Sequence, residues 1–300
     1  MTQHDGVNLL RSLPKMHDFF VGVDSDGCAF DTMEIKQQEC FTPAVIEHWG
    51  LQPVARYARE VCLFVNLYSR FRGQNRYVSL VRDMDLLRRR QEVKRRGFVV
   101  PDVEPLRRWT REESRLGEPA LAARAAETGE PVLARTLAWS RAVNAAVARI
   151  CRNVPPFAFV REALAALRGR ADVIVVSATP EEAIRREWAE HGLDGQVAMI
   201  CGQEIGTKRE HLRHATAGRY APARCLMIGD APGDLAAARD SGVLFYPIVP
   251  GREEDSWRRF VEEASRRFFA GTYGGPYEAA LIDEFLASMP ERPLWETARP

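Results

Sequence analysis

The sequence predicts an α/β protein, a parallel sheet covered by helices and interrupted by a separate helical insert. Two observations carry this. Four short apolar runs each stop at a polar residue and are followed by a stretch of helical composition, the alternation expected of a parallel, helix-covered sheet. Between the first run and the second lie more than a hundred residues with no such run, rich in Ala, Leu and Arg, which are strong helix formers. The expected division is therefore a core from residues 1–35 and 155–300, with 252–300 as its helical extension, and a helical insert over 36–154.

The first run, Phe19-Phe20-Val21-Gly22-Val23, ends at Asp24-Ser25-Asp26-Gly27, with Asp31-Thr32 shortly after. Residues i and i+2 of a strand face the same side, so both carboxylates can reach one centre. Two crowded negative charges need a cation or a shared proton, so the pair asks for a metal or for acid/base work. The second run, Asp172 to Val176, ends at Ser177. The third, Val197 to Cys201, leads into a Gly-containing turn with Lys208 a few residues on. The fourth, Cys225 to Gly229, ends at Asp230, and Asp234 follows. In open parallel sheets ligands bind beyond the carboxyl ends of the strands. Asp24, Asp26, Ser177, Lys208, Asp230 and Asp234 would all fall there. Any one of them alone reads as a cap or turn residue; their shared position argues for a site.

With these residues in order, the chain resembles the haloacid dehalogenase-like hydrolases, a superfamily made up mostly of phosphatases. Its first motif, Asp-x-Asp-Gly-Thr-x-x-Asp, is matched by Asp24-Ser25-Asp26-Gly27-Cys28-Ala29-Phe30-Asp31, with Cys28 where Thr is usual. Ser177 and Lys208 match the second and third motifs, and Gly229-Asp230-Ala231-Pro232-Gly233-Asp234 matches the fourth. The resemblance covers the segments around 15–35 and 155–250. It implies a Rossmann-like core with an inserted helical cap that closes over the substrate. It also implies a Mg²⁺-dependent phosphatase acting on a small phosphorylated metabolite through an aspartyl-phosphate. Asp24 would be the nucleophile and Asp26 the general acid/base. Ser177 and Lys208 would hold the phosphoryl oxygens. Asp24, the Asp26 backbone carbonyl, Asp230 and Asp234 would hold or support the metal. An all-oxygen donor set beside a phosphate suits Mg²⁺ on chemical grounds too.

Asp26 speaks against dehalogenation, because dehalogenases of the superfamily typically carry an aromatic residue there. Phosphonate cleavage in relatives uses a cap lysine, and this insert has only Lys36 and Lys94, both in charged, helix-like surroundings. A phosphomutase would keep the same core residues and stays open, as does a non-catalytic binding protein on this scaffold.

Charge is uneven although the net value is +1: residues 36–152 hold 22 Lys/Arg against 13 Asp/Glu, and the rest holds 20 against 28. A basic insert over an acidic core suits an anionic substrate. The arginines of Asp85 to Glu92 are expected to be a solvated helix face. Arg70, Arg72 and Arg76, set among aromatics and amides between Tyr68 and Tyr77, are candidate substrate-binding residues, since the guanidinium fork grips carboxylate or phosphate.

Six scattered cysteines without Cys-x-x-Cys spacing argue against a zinc site or disulfide framework. No apolar run is long enough to span a membrane, and the N-terminus lacks the basic-then-apolar pattern of a secretory signal. A cytoplasmic protein with no nucleic-acid or membrane partner is expected, monomer and homodimer both being open. Two further helices are expected from Arg252 to Phe269 and from Glu278 to Met289, packed on the flank of the sheet.

Overall fold

The computed structural model describes residues 3–297 and divides into two compact units. One comprises the chain up to Met33 together with Asn153–Met289; the other comprises Glu34–Arg152 and the stretch that begins at Pro290.

The first unit is built on a five-stranded sheet: β1 Phe19–Val23, β2 Ala171–Val176, β3 Met199–Cys201, β4 Cys225–Gly229 and β5 Leu244–Pro247. The order is β3-β2-β1-β4-β5 and every pairing is parallel. β1 lies at the centre, in register with Ala171–Val175 on one side and with Cys225–Ile228 on the other. The runs read as nearly continuous apolar segments because both faces are covered. Val21, Val23, Val173, Val175, Leu226 and Ile228 enter one buried cluster, which also takes in Trp188, Trp257 and Phe260. Phe20, Ile174, Val176, Cys225 and Met227 alternate with them into the opposite cluster, against Leu212, Leu235 and Phe285. The period-two alternation of strand side chains thus builds two cores from one sheet.

β5 was not expected from the sequence. Its four residues are too few for a clear periodic signal, and Pro247, which cannot donate to a ladder, is admissible because β5 is an edge strand. The helical stretch after Arg252 runs as Glu253–Arg259, a π-helical turn Phe260–Ala264 and Ser265–Phe269, and Pro276–Ala287 follows. Trp257, Phe260, Phe268 and Phe285 are fully buried, so these helices are part of the core.

The expected assignment of all of 252–300 to the core needs correcting at its end. From Pro290 the chain belongs to the second unit, where the Trp295 ring meets Phe64 edge-on and lies under the Arg90 guanidinium.

The second unit is helical: Thr42–His48, Ala55–Leu67, Arg76–Arg89, Glu104–Glu112, Glu118–Thr128 and Pro131–Ile150 are its principal helices. Val61 and Val65, then Leu80, Met84 and Leu87, recur at helical spacing and bury one stripe of each helix against Trp109 and Trp139. Start and stop signals are local. Asn75 accepts from the Tyr77 amide to cap its helix, Pro119 and Pro131 sit in first turns, and Gly129 closes its helix in the left-handed conformation.

Candidate active site

The site is assembled by the strand ends. Asp24 leaves β1 with its amide bonded to the Ile228 carbonyl of β4 at 3.0 Å, which ties the first motif to the neighbouring strand. Its carboxylate accepts from the Ser25 amide at 2.8 Å. Ser25 is anchored in turn: its hydroxyl donates to Glu187 and accepts from the Trp188 indole, both at 2.9 Å. Cys28 is fully buried, its carbonyl accepting from the Trp257 indole, and burial followed by the nearby Asp230 pushes its thiol well above the ordinary range. Its thiol donates to the Ile228 carbonyl at 3.7 Å.

Lys208 opens the helix Lys208–Thr216, whose start is fixed by reciprocal bonds: the Glu210 amide donates to the Thr207 hydroxyl and the Thr207 amide to the Glu210 carboxylate. The helix can lie close on the sheet because residue 22 is glycine; a Cβ there would come within 3.0 Å of Leu212. Lys208 Nζ consequently reaches Asp24 Oδ2 at 2.7 Å and Asp234 Oδ1 at 2.5 Å. Asp234, on the first turn of the helix Pro232–Ser241, points its other oxygen back at the amides of Asp230 and Ala231, at 3.2 and 3.0 Å.

Asp24, Asp230 and Asp234 are all buried, and each offers a carboxylate oxygen within 4.8 Å of the others. Burial, opposed by Lys208 and reinforced by Asp234 and Asp230, raises Asp24 well above the usual carboxylate range. For Lys208, burial works against the charge, but Asp234, Asp24 and Asp230 outweigh it and hold the ammonium firmly protonated. Three carboxylates against one ammonium leave two formal negative charges in a buried place. An all-oxygen, doubly negative cluster fits a hard divalent cation, which would also reverse the pressure on Asp24 to protonate.

Two hydroxyls beside motif residues hold the Asp26 carboxylate. Thr32 Oγ1 donates to its Oδ1 at 2.5 Å and Thr179 Oγ1 to its Oδ2 at 2.6 Å. Thr179 sits two residues beyond Ser177, and its amide donates to the Ser177 hydroxyl at 3.2 Å. Thr32 directly follows the first motif. Their positions next to motif residues were the available signal; their convergence depends on β1 and β2 being neighbours.

The three candidate arginines all have partners within the helical unit. Arg70 pairs with Glu291 at 3.0 Å. Arg72 is buried and donates to the Leu67 carbonyl at 3.1 Å. Arg76 donates to Asn144 at 2.8 Å and to Ser140, and covers the Phe41 ring. All of these contacts lie within the helical unit. The expectation of a solvated Asp85–Glu92 face also needs correction at Arg90, which is buried, bonded to Glu60 at 2.6 Å and Glu92 at 3.1 Å, and stacked on Tyr57 and Trp295.

A family model for haloacid dehalogenase-like hydrolases matches residues 51–242, well over half of the chain. The chain therefore belongs to the haloacid dehalogenase-like hydrolases. The first motif precedes the matched span, so its place rests on the geometry above. Among solved structures, the chain is similar to a subfamily IA hydrolase of the superfamily from Geobacter sulfurreducens PCA. That likeness has 19% identity and a TM-score of 0.38, covering 79% of this chain and 89% of that one. A haloacid dehalogenase-like family protein from Streptococcus pneumoniae aligns at 13% identity with a TM-score of 0.41, covering 82% and 91%. At such TM-scores these likenesses add nothing to the family match. No curated protein matches the chain.

Among the described residues no helix is long and apolar enough to cross a membrane.

Proposed function

We propose that the chain is a Mg²⁺-dependent phosphatase that hydrolyses a small phosphorylated metabolite through an aspartyl-phosphate. The observation that carries this reading is the buried cluster of Asp24, Asp230 and Asp234 around Lys208, gathered at the carboxyl ends of β1 and β4. A phosphate ester repels nucleophiles by its own charge, so catalysis is chiefly positioning and neutralisation. Asp24 attacks phosphorus and splits one hard step into two easier ones. Asp26 gives a proton to the leaving oxygen and then takes one from the attacking water. Ser177 and Lys208 bind the phosphoryl oxygens. Asp24, Asp230 and Asp234, with the Asp26 carbonyl, would hold Mg²⁺, which neutralises charge on the phosphoryl group. Substrate choice is assigned to the helical unit, read as the inserted cap, and a cytoplasmic location goes with a metabolite substrate.

The test is phosphate release from a panel of phosphorylated metabolites, with Mg²⁺ and with chelator. Release that requires Mg²⁺ is expected for at least one compound. Isomer exchange without net release would make the chain a phosphomutase on the same core. Neither activity from folded protein would favour a non-catalytic role.

Thr32 and Thr179 give this reading a sharper check. Valine keeps the shape of threonine and deletes the hydroxyl, so either Thr32→Val or Thr179→Val should take one of these two hydrogen bonds from the Asp26 carboxylate. If Asp26 moves the proton, kcat should fall about tenfold while KM changes little, in steady-state assays on the best substrate. An unchanged kcat in the double variant would remove Asp26 from that role.

A further inference from the structure

The helical unit buries a second polar cluster that the proposed reaction does not use. Gln37 and Thr42 near the start of the unit, Ser79 and Asp83 one turn apart on the helix Arg76–Arg89, and Trp139 on the helix Pro131–Ile150 line one small pocket. Each is at least nine-tenths buried. Gln37 Oε1, Thr42 Oγ1, Ser79 Oγ, Asp83 Oδ1 and Trp139 Nε1 have no hydrogen-bond partner in the protein. A buried polar atom left unpaired is costly, and five around one cavity amount to a built site rather than a packing fault.

The pocket's size and chemistry narrow the occupant. Its volume of about 10 Å³ corresponds to roughly one water-sized sphere. Trp139 Nε1–H can only donate, so the guest must accept a hydrogen bond, which a bare monovalent cation or ammonium cannot do. Gln37 Oε1 accepts, so the guest must also donate, which excludes a halide. The Ser79 and Thr42 hydroxyls can serve either way. A neutral water, with two hydrogens to give and two lone pairs to receive, meets these demands and can take up four of the five groups at once.

We propose that the core of the helical unit contains a dedicated binding site for one internal water, bridging Asp83 and Trp139 and completed by Gln37 and by one of the Thr42 and Ser79 hydroxyls. The site is independent of the phosphatase reading. Burial raises the Asp83 carboxyl to about 7, against the opposing pull of Cys62, Asn66 and Arg82, so a hydrogen-bonding neighbour that can serve both its protonated and its ionised form suits this position.

A crystal structure of the full chain, with a parallel crystal soaked in thallium(I), tests the proposal. One solvent peak is expected within about 3.2 Å of both Asp83 Oδ1 and Trp139 Nε1, with no anomalous signal from thallium there. Ser79→Val, whose two methyl groups occupy the water-sized space, should lose the peak. An empty pocket in the wild type, or thallium seated in it, would overturn the assignment. The wild-type crystals decide the matter even if the variant does not fold.

Discussion

Asp24→Asn is expected to lower phosphate release by about 10⁴-fold or more while leaving the protein folded. The amide has the same shape and can still receive the Ser25 amide, but it is no nucleophile, and loss of a covalent nucleophile costs losses of this order or larger. The same substitution should stabilise the protein when metal is chelated. Asp24 is buried beside Asp230 and Asp234, and Lys208 offsets only one of the three negative charges. Removing one carboxylate relieves that crowding, by roughly 1 kcal/mol on the usual scale of stability gained when a functional site is neutralised. Activity assays and thermal melts in chelator, run side by side on both proteins, check the pair of effects. Activity within tenfold of wild type would rule Asp24 out as the nucleophile. A lower melting temperature in chelator would show that the Lys208 contact, rather than charge crowding, dominates the metal-free site.

Much of the first unit was legible because its strands are short, apolar and buried on both sides. Such a run has a clear end, and in a parallel sheet that end is where ligands bind. Phe19–Val23 followed by Asp24, and Cys225–Gly229 followed by Asp230, needed no knowledge of strand order to be read. β5 was missed because Leu244–Pro247 is too short to be told from a loop. Thr32 and Thr179 were missed for a different reason. Each lies beside a motif residue, but Asp26 receives both hydroxyls only because the sheet sets β1 next to β2, and that adjacency is not written in either segment.

The helical unit was harder, since an arginine on a helix looks the same in sequence whether water or another side chain meets it. Arg90 sits in a run that reads as solvated, yet it is buried between Tyr57, Trp295, Glu60 and Glu92. Two of those partners, Glu60 and Trp295, lie 30 and 205 positions away, beyond the reach of any local pattern. The same holds for Arg76, whose partners Ser140 and Asn144 come from a later helix. Guanidinium groups suit such places because their planar face stacks on rings while the edge donates. A cluster of arginines among aromatics therefore signals scaffold as readily as substrate.

Gly229 should be nearly as unforgiving as the aspartates, although it contributes no side chain. A Cβ at this last residue of β4 would lie 2.5 Å from Cβ, Cγ and Oδ2 of Asp234. Asp234 cannot step aside cheaply. It is fully buried, one oxygen is held by Lys208 at 2.5 Å, and the other takes the amides of Asp230 and Ala231. Gly229→Ala must therefore displace the carboxylate or bend the loop that carries Asp230, at a cost of about 1–3 kcal/mol in packing strain. Either displacement pulls apart the three carboxylates that would hold the cation. Mg²⁺ affinity should fall at least about tenfold and turnover at saturating Mg²⁺ about a hundredfold, since small misplacements of reacting groups cost that much. Gly233→Ala is the matched control: a Cβ there meets nothing within 4 Å, and alanine is the better helix former. It should melt at or above the wild-type temperature with unchanged Mg²⁺ affinity by calorimetry. If Gly229→Ala bound Mg²⁺ as Gly233→Ala does, the cation would not be held by Asp234 and its neighbours, and the metal site would have to be sought elsewhere in the chain.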